Sequence, residues 1–101
     1  MAKPAARTTD PISPHAPCPP GKCGMGSENV IIENKLAYRV GDSTFPHGKP
    51  VPFAGCVPHT SVLTNGSSKV FVNNRPLGRV GDGHGCGVKI VSGASKVFVG
   101  G

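Results

Sequence analysis

Short apolar runs with an alternating beat punctuate the chain. Val30 and Ile32, and again Val70 and Val72, alternate with residues that face the other way, and Asn34 and Asn74 follow where a tight turn needs a positive φ. This predicts a strand, a tight turn and a second strand over Leu36 to Val40, and likewise Leu77 to Val80, each closing on a Gly-Asp pair. At that corner Arg39 and Asp42, Arg79 and Asp82, and Arg7 and Asp10 each stand three apart. We read them as clips, with the Asp capping turn amides and the Arg lying along the sheet.

The pattern is a repeat. Gly26 to Asp42 (GSENVIIENKLAYRVGD) and Gly66 to Asp82 (GSSKVFVNNRPLGRVGD) agree at 8 of 17 positions, and Gly66 to Val72 agrees with Gly93 to Val99 at 6 of 7. The opening AARTTD, ending at Asp10, reads as the tail of a unit whose head is the GASKVFVGG at the other terminus. The expected organisation is a single domain over 1–101, with units 26–42, 66–82 and 93–101 plus 1–10 and inserts 11–25, 43–65 and 83–92. Three β units too short to bury a face alone must pack together, most simply around a pseudo-threefold axis with the inserts meeting at one end.

Composition supports strands over helices. The 101 residues include 15 Gly and 11 Pro, and 12 Val against three Leu, a balance that suits pleated strands. No stretch approaches 18 apolar residues and the N-terminus lacks an apolar leader, so the expectation is a soluble product made in the cytoplasm. A chain of this size buries only roughly 60 to 70% of its unfolded surface, so a staple would help it stand.

All four His and all four Cys fall in the inserts. They are His15, Cys18 and Cys23; His47, Cys56 and His59; and His84 and Cys86. Imidazole and thiolate together suit Zn2+ or a similar transition metal in a closed tetrahedral site. A disulfide framework competes, because four Cys permit three pairings, but a cytosolic chain keeps its thiols reduced. Place within the repeat selects four ligands. His15 and His47 each lie five residues after a unit-ending Asp, and His59 and Cys86 each lie seven before a unit-opening Gly. Every insert contributes at least one of these, so a metal there would tie the three units together. Cys18, Cys23, Cys56 and His84 remain as substitutes.

The opening MAKPAAR with TTD, the GSxxVxxxNxxxxRVGD units and the PH-containing inserts resemble the PAAR-repeat proteins over essentially the whole chain. The motif itself is Pro4-Ala5-Ala6-Arg7, with Leu36-Ala37-Tyr38-Arg39 and Pro76-Leu77-Gly78-Arg79 as degenerate copies. The resemblance implies a small, cone-shaped, all-β, pseudo-threefold domain. It implies one structural Zn2+ per chain, held by three His and one Cys, a pattern that falls on His15, His47, His59 and Cys86. It also implies a role as the tip that caps the trimeric β-helical spike (a VgrG-like protein or a phage tail spike) of a type VI secretion system or contractile phage tail. Such a tip is a monomer on a homotrimer and meets the target cell membrane transiently. It would be cytoplasmic at synthesis, then carried on the virion tail tip or secreted with the spike. The sequence is read as a bare tip without effector cargo.

Other classes fit less well. A metallohydrolase needs a carboxylate base, and of five acids three are the corner residues Asp10, Asp42 and Asp82, while Glu28 and Glu33 lie in a strand region. No nucleophile-elbow signature appears. Catalysis is therefore not expected. The formal charge of +6 raises nucleic-acid binding, but the eleven Lys and Arg are spread at intervals, and Phe71 and Phe98 recur at a repeat position that suits core or base contacts. A small zinc-binding nucleic-acid or protein-interaction module is the alternative reading; otherwise no nucleic acid is expected.

Overall fold

The units 26–42 and 66–82 each fold back at mid-length, where the backbone turns through positive φ. The computed structural model describes residues 2–101. Glu33 and Asn34 take φ of 50° and 69°, and Asn73 and Asn74 take 53° and 66°, the pair of left-handed residues that matches the twist of a two-residue hairpin. These turns join β2 (Ile31–Ile32) to β3 (Lys35–Leu36) and β6 (Phe71–Val72) to β7 (Arg75–Pro76). The third copy is assembled from both ends of the chain. There β8 (Phe98–Val99) pairs antiparallel with β1 (Lys3–Pro4), with Phe98 opposite Pro4 as Phe71 is opposite Pro76 and Ile31 is opposite Leu36.

Past each hairpin the second strand leaves its partner and pairs with the neighbouring unit, so the ladders are shorter than the sequence predicts. Arg7 bridges Ala37, Arg39 bridges Leu77 and Arg79 bridges Ala5, which closes a ring of equivalent positions. The backbone bonds follow the same cycle: Tyr38 N–H donates to the Ala6 carbonyl (3.0 Å), Gly78 N–H to Tyr38 (2.8 Å) and Ala6 N–H to Gly78 (2.9 Å). Inter-unit pairing wins because a two-residue hairpin is not stable alone, while a closed ring leaves none of these amides unpaired. The unit-opening glycines permit the close approach. A Cβ on Gly26 would collide with the Ala37 carbonyl oxygen, and one on Gly93 with that of Ala5.

The corner clips form as read. In each, the Asp accepts from the backbone N–H and the guanidinium of its Arg, with shortest side-chain contacts of 2.9 Å (Arg7–Asp10), 2.9 Å (Arg39–Asp42) and 3.0 Å (Arg79–Asp82). Hydrogen bonding to Asp10 holds the Arg7 guanidinium above its ordinary pKa, and Asp82 does the same for Arg79.

Two apolar layers stack along this frame. One gathers Ala5, Ala37, Val72, Leu77, Ala94 and Val99 beneath the hairpins; the other gathers Ala6, Ile12, Cys23, Tyr38, Leu63, Val88 and Ile90 toward the inserts. The molecule is all-β, extends 43 × 27 × 21 Å, and has no helix among the described residues. Phe71 and Phe98 are not core residues: both are more than half exposed, as is Ile31 at the equivalent position.

The second insert departs furthest from expectation. It forms the longest ladder, β4 (His47–Val51) against β5 (Gly55–His59), in a segment to which the repeat pattern assigns no strand. Prolines at 50, 52 and 58 argue against a central strand, but a two-stranded ribbon has two edges and tolerates them.

Candidate metal centre

The foot of that ribbon sets one side of the site. His47 and His59 are direct cross-strand partners, the closest approach that two side chains on antiparallel strands can have. Their ring centroids lie 4.4 Å apart. The first insert brings His15 over both, stacked on His47 at 5.2 Å and tilted against His59 at 5.1 Å. The tight turn of the third insert supplies Cys86, whose N–H donates to Ser61 Oγ at 3.0 Å. One ligand atom from each of His15, His47, His59 and Cys86 lies within 4.8 Å of all the others.

Tautomers follow from the surroundings. His47 Nδ1 lies 3.3 Å from the Thr44 hydroxyl and 3.4 Å from the Phe45 carbonyl, and a proton on Nδ1, donated to that carbonyl, is the tautomer that frees Nε2. Its Nε2 is then a bare lone pair, buried and without a hydrogen-bond partner. A buried, unpaired acceptor costs about 1 to 3 kcal/mol, and a cation would relieve that cost. His15 Nε2 and His59 Nε2 face each other at 3.1 Å. Desolvation first, then neighbouring imidazoles and Lys49, push the pKa of His15 and His59 below the ordinary value, so both are neutral and ready to donate lone pairs near pH 7. Three nitrogens and one sulfur suit a Zn2+-like ion. No other group of three or more His, Cys, Asp or Glu converges this way among the described residues.

The four substitute residues are engaged elsewhere. Cys23 is fully buried in the apolar layer toward the inserts, and burial drives its thiol pKa far up, so it is an inert core side chain. His84 is buried, with Nδ1 3.2 Å from the Val88 carbonyl and Nε2 2.9 Å from the Tyr38 hydroxyl. Cys18 and Cys56 are joined as a disulfide, which corrects the expectation of reduced thiols. The reason is local: the ribbon carries Cys56 across from the first insert, with 5.8 Å between the Cα atoms, well inside bonding range. Gly48 makes room, since a Cβ there would lie 3.0 Å from that of Cys56 and 3.1 Å from that of Cys18. Nothing in the Cys spacing points to this pair.

Comparison with known proteins agrees with the repeat. A family model described as the PAAR motif matches residues 54–101. Two curated relatives from Pseudomonas aeruginosa are each 30% identical over 77 residues: the NAD(P)(+) glycohydrolase toxin Tse6 of strain PAO1 and the (p)ppApp synthetase toxin Tas1 of strain UCBPP-PA14. In both cases the match covers 75% of this chain but only 18% of the relative's length. The chain thus carries a PAAR motif over residues 54–101, and the 26–42 unit and the 1–10 tail of the split unit are hydrogen-bonded to that segment in a ring.

Proposed function

We propose that the chain is a non-catalytic, metal-stiffened tip that caps the trimeric spike of a contractile injection machine. The observation that carries this reading is the exposure of Ile31 (64%), Phe71 (56%) and Phe98 (57%), one from each unit at the equivalent hairpin position and outside the inserts. Three equivalent apolar residues around a pseudo-threefold ring match the end of a trimer through three equivalent contacts, which an unrepeated domain cannot do. The inserts carry the His and Cys group, where one Zn2+ on His15, His47, His59 and Cys86 would pin all three of them and supply folding free energy.

The relatives support a shared carrier role over a shared chemistry. Their named activities differ, a glycohydrolase and a synthetase, yet both resemble this chain over the same small fraction of their length. In this chain the three corner aspartates are locked to arginines, so none stands ready as a base beside the metal group. The reading takes residues 1–101 as one domain, made in the cytoplasm and exported on the spike.

Co-purification with a trimeric β-helical spike tests the role. The parent chain is expected to be retained, and the double variant Phe71→Ser with Phe98→Ser to be lost while keeping its melting temperature. Retention of the double variant would overturn the docking face.

A further inference from the structure

The β4–β5 ribbon ends in a feature that the fold does not require. At its tip Ala54 N–H donates to the Val51 carbonyl at 3.0 Å across Pro52 and Phe53, and Phe53 occupies the position with φ of 64°. That position favours Gly or Asn, and an aromatic there is unfavourable. Phe53 gains no packing in return, for its side chain is completely exposed at 110%. Val51, Pro52 and Ala54 beside it are exposed as well.

The ribbon is firmly held behind this tip. His47 and His59 pair at its foot, and the Cys18–Cys56 disulfide ties its outer half to the first insert. Five residues at about 3.3 Å each put the turn roughly 16 Å beyond the foot. The inserts contain Lys22, Lys49 and Lys89 and no Asp or Glu; all five acids lie in the repeat units.

We infer that the tip Val51 to Ala54 is a wedge that enters the headgroup and acyl boundary of an anionic lipid bilayer, with Phe53 as the inserted side chain. Two observations select lipid over a protein partner. Cationic insert segments without carboxylates complement anionic headgroups. A projecting turn of four residues is also far smaller than the roughly 1,200 Å² that a stable protein interface buries, whereas interfacial insertion requires only a short apolar element reaching about 5 to 10 Å deep. The inference deepens the proposed tip role by naming the segment that meets the membrane.

The chain has no Trp, so Phe53→Trp installs a single reporter. The zinc-loaded 101-residue chain is mixed with vesicles of phosphatidylcholine containing about 30% phosphatidylglycerol, and Trp emission, quenching by brominated acyl chains and flotation are measured. The expected result is a blue shift with quenching, and flotation of the parent that falls about tenfold in Phe53→Ser. Either of two outcomes overturns the inference: unshifted, unquenched emission, or flotation of Phe53→Ser equal to the parent's. A shift seen only on adding a trimeric spike would place the tip in a protein interface and also overturn it. Spike co-purification of Phe53→Ser separates the two readings. Retained docking with unchanged flotation sinks the wedge alone, and lost docking of the parent with intact insertion sinks the cap alone.

Discussion

The Glu33 carboxylate adds a side-chain clasp to the backbone seam between the unit 26–42 and the split unit. Glu33 accepts from Ser95 N–H (3.0 Å), Ser95 Oγ (3.1 Å) and Lys96 N–H (2.7 Å), and Arg7 lies 3.6 Å away. These bonds from the Ser95 and Lys96 amides, chiefly, hold its pKa below the usual glutamate value. A depressed acid stabilises the fold above its unfolded pKa of about 4.3 and loses that contribution as pH falls through the lower folded value. Melting followed from pH 6 to 3 is therefore expected to drop on the acid side of that window, and Glu33→Gln to flatten the Glu33 share of the drop. Identical acid limbs in the two proteins would refute the role. The buried clips are stronger still: Asp82→Ala leaves Arg79 without its partner and is expected to cost about 3 kcal/mol in denaturant unfolding. Asp10→Ala and Asp42→Ala should cost similar amounts, because the three corners share one geometry.

At the scale of elements, the ribbon and its staples dominate. The Cys18–Cys56 bond spans 38 residues, and chain-entropy arguments give such a link about 3 to 4 kcal/mol. Cys18→Ser with Cys56→Ser is expected to lower the melting temperature in non-reducing buffer, and to match the reduced parent. His59→Ala is expected to abolish binding of one zinc per chain by elemental mass spectrometry, whereas His84→Ala, whose ring serves Tyr38 and Val88, should leave zinc content unchanged.

These elements also mark how far the sequence could be read. The hairpin turns were legible because Asn34 and Asn74 tolerate positive φ, and the clips because an Arg and an Asp three apart recur in register. The corner-relative spacings grouped His15, His47, His59 and Cys86, and those four side chains do face one another. The ribbon was hidden by prolines that rule out central strands but not edges. Its disulfide was hidden in turn, since only the ribbon carries Cys56 to Cys18. The outward turn of Phe71 and Phe98 depends on which face the ring of units closes, a tertiary fact beyond local alternation.

On the scale of the whole molecule, the closed cycle of bonds through Ala6, Tyr38 and Gly78 means that one chain already contains three equivalent faces. On the proposed reading, self-association is then unnecessary and one copy satisfies a trimeric partner. Light scattering coupled to size exclusion, on the complex with a trimeric β-helical spike, measures this directly. One chain per three spike chains, with the free protein a monomer, is the expected result. Three chains per spike trimer, or a free protein that is itself a trimer, would contradict the account.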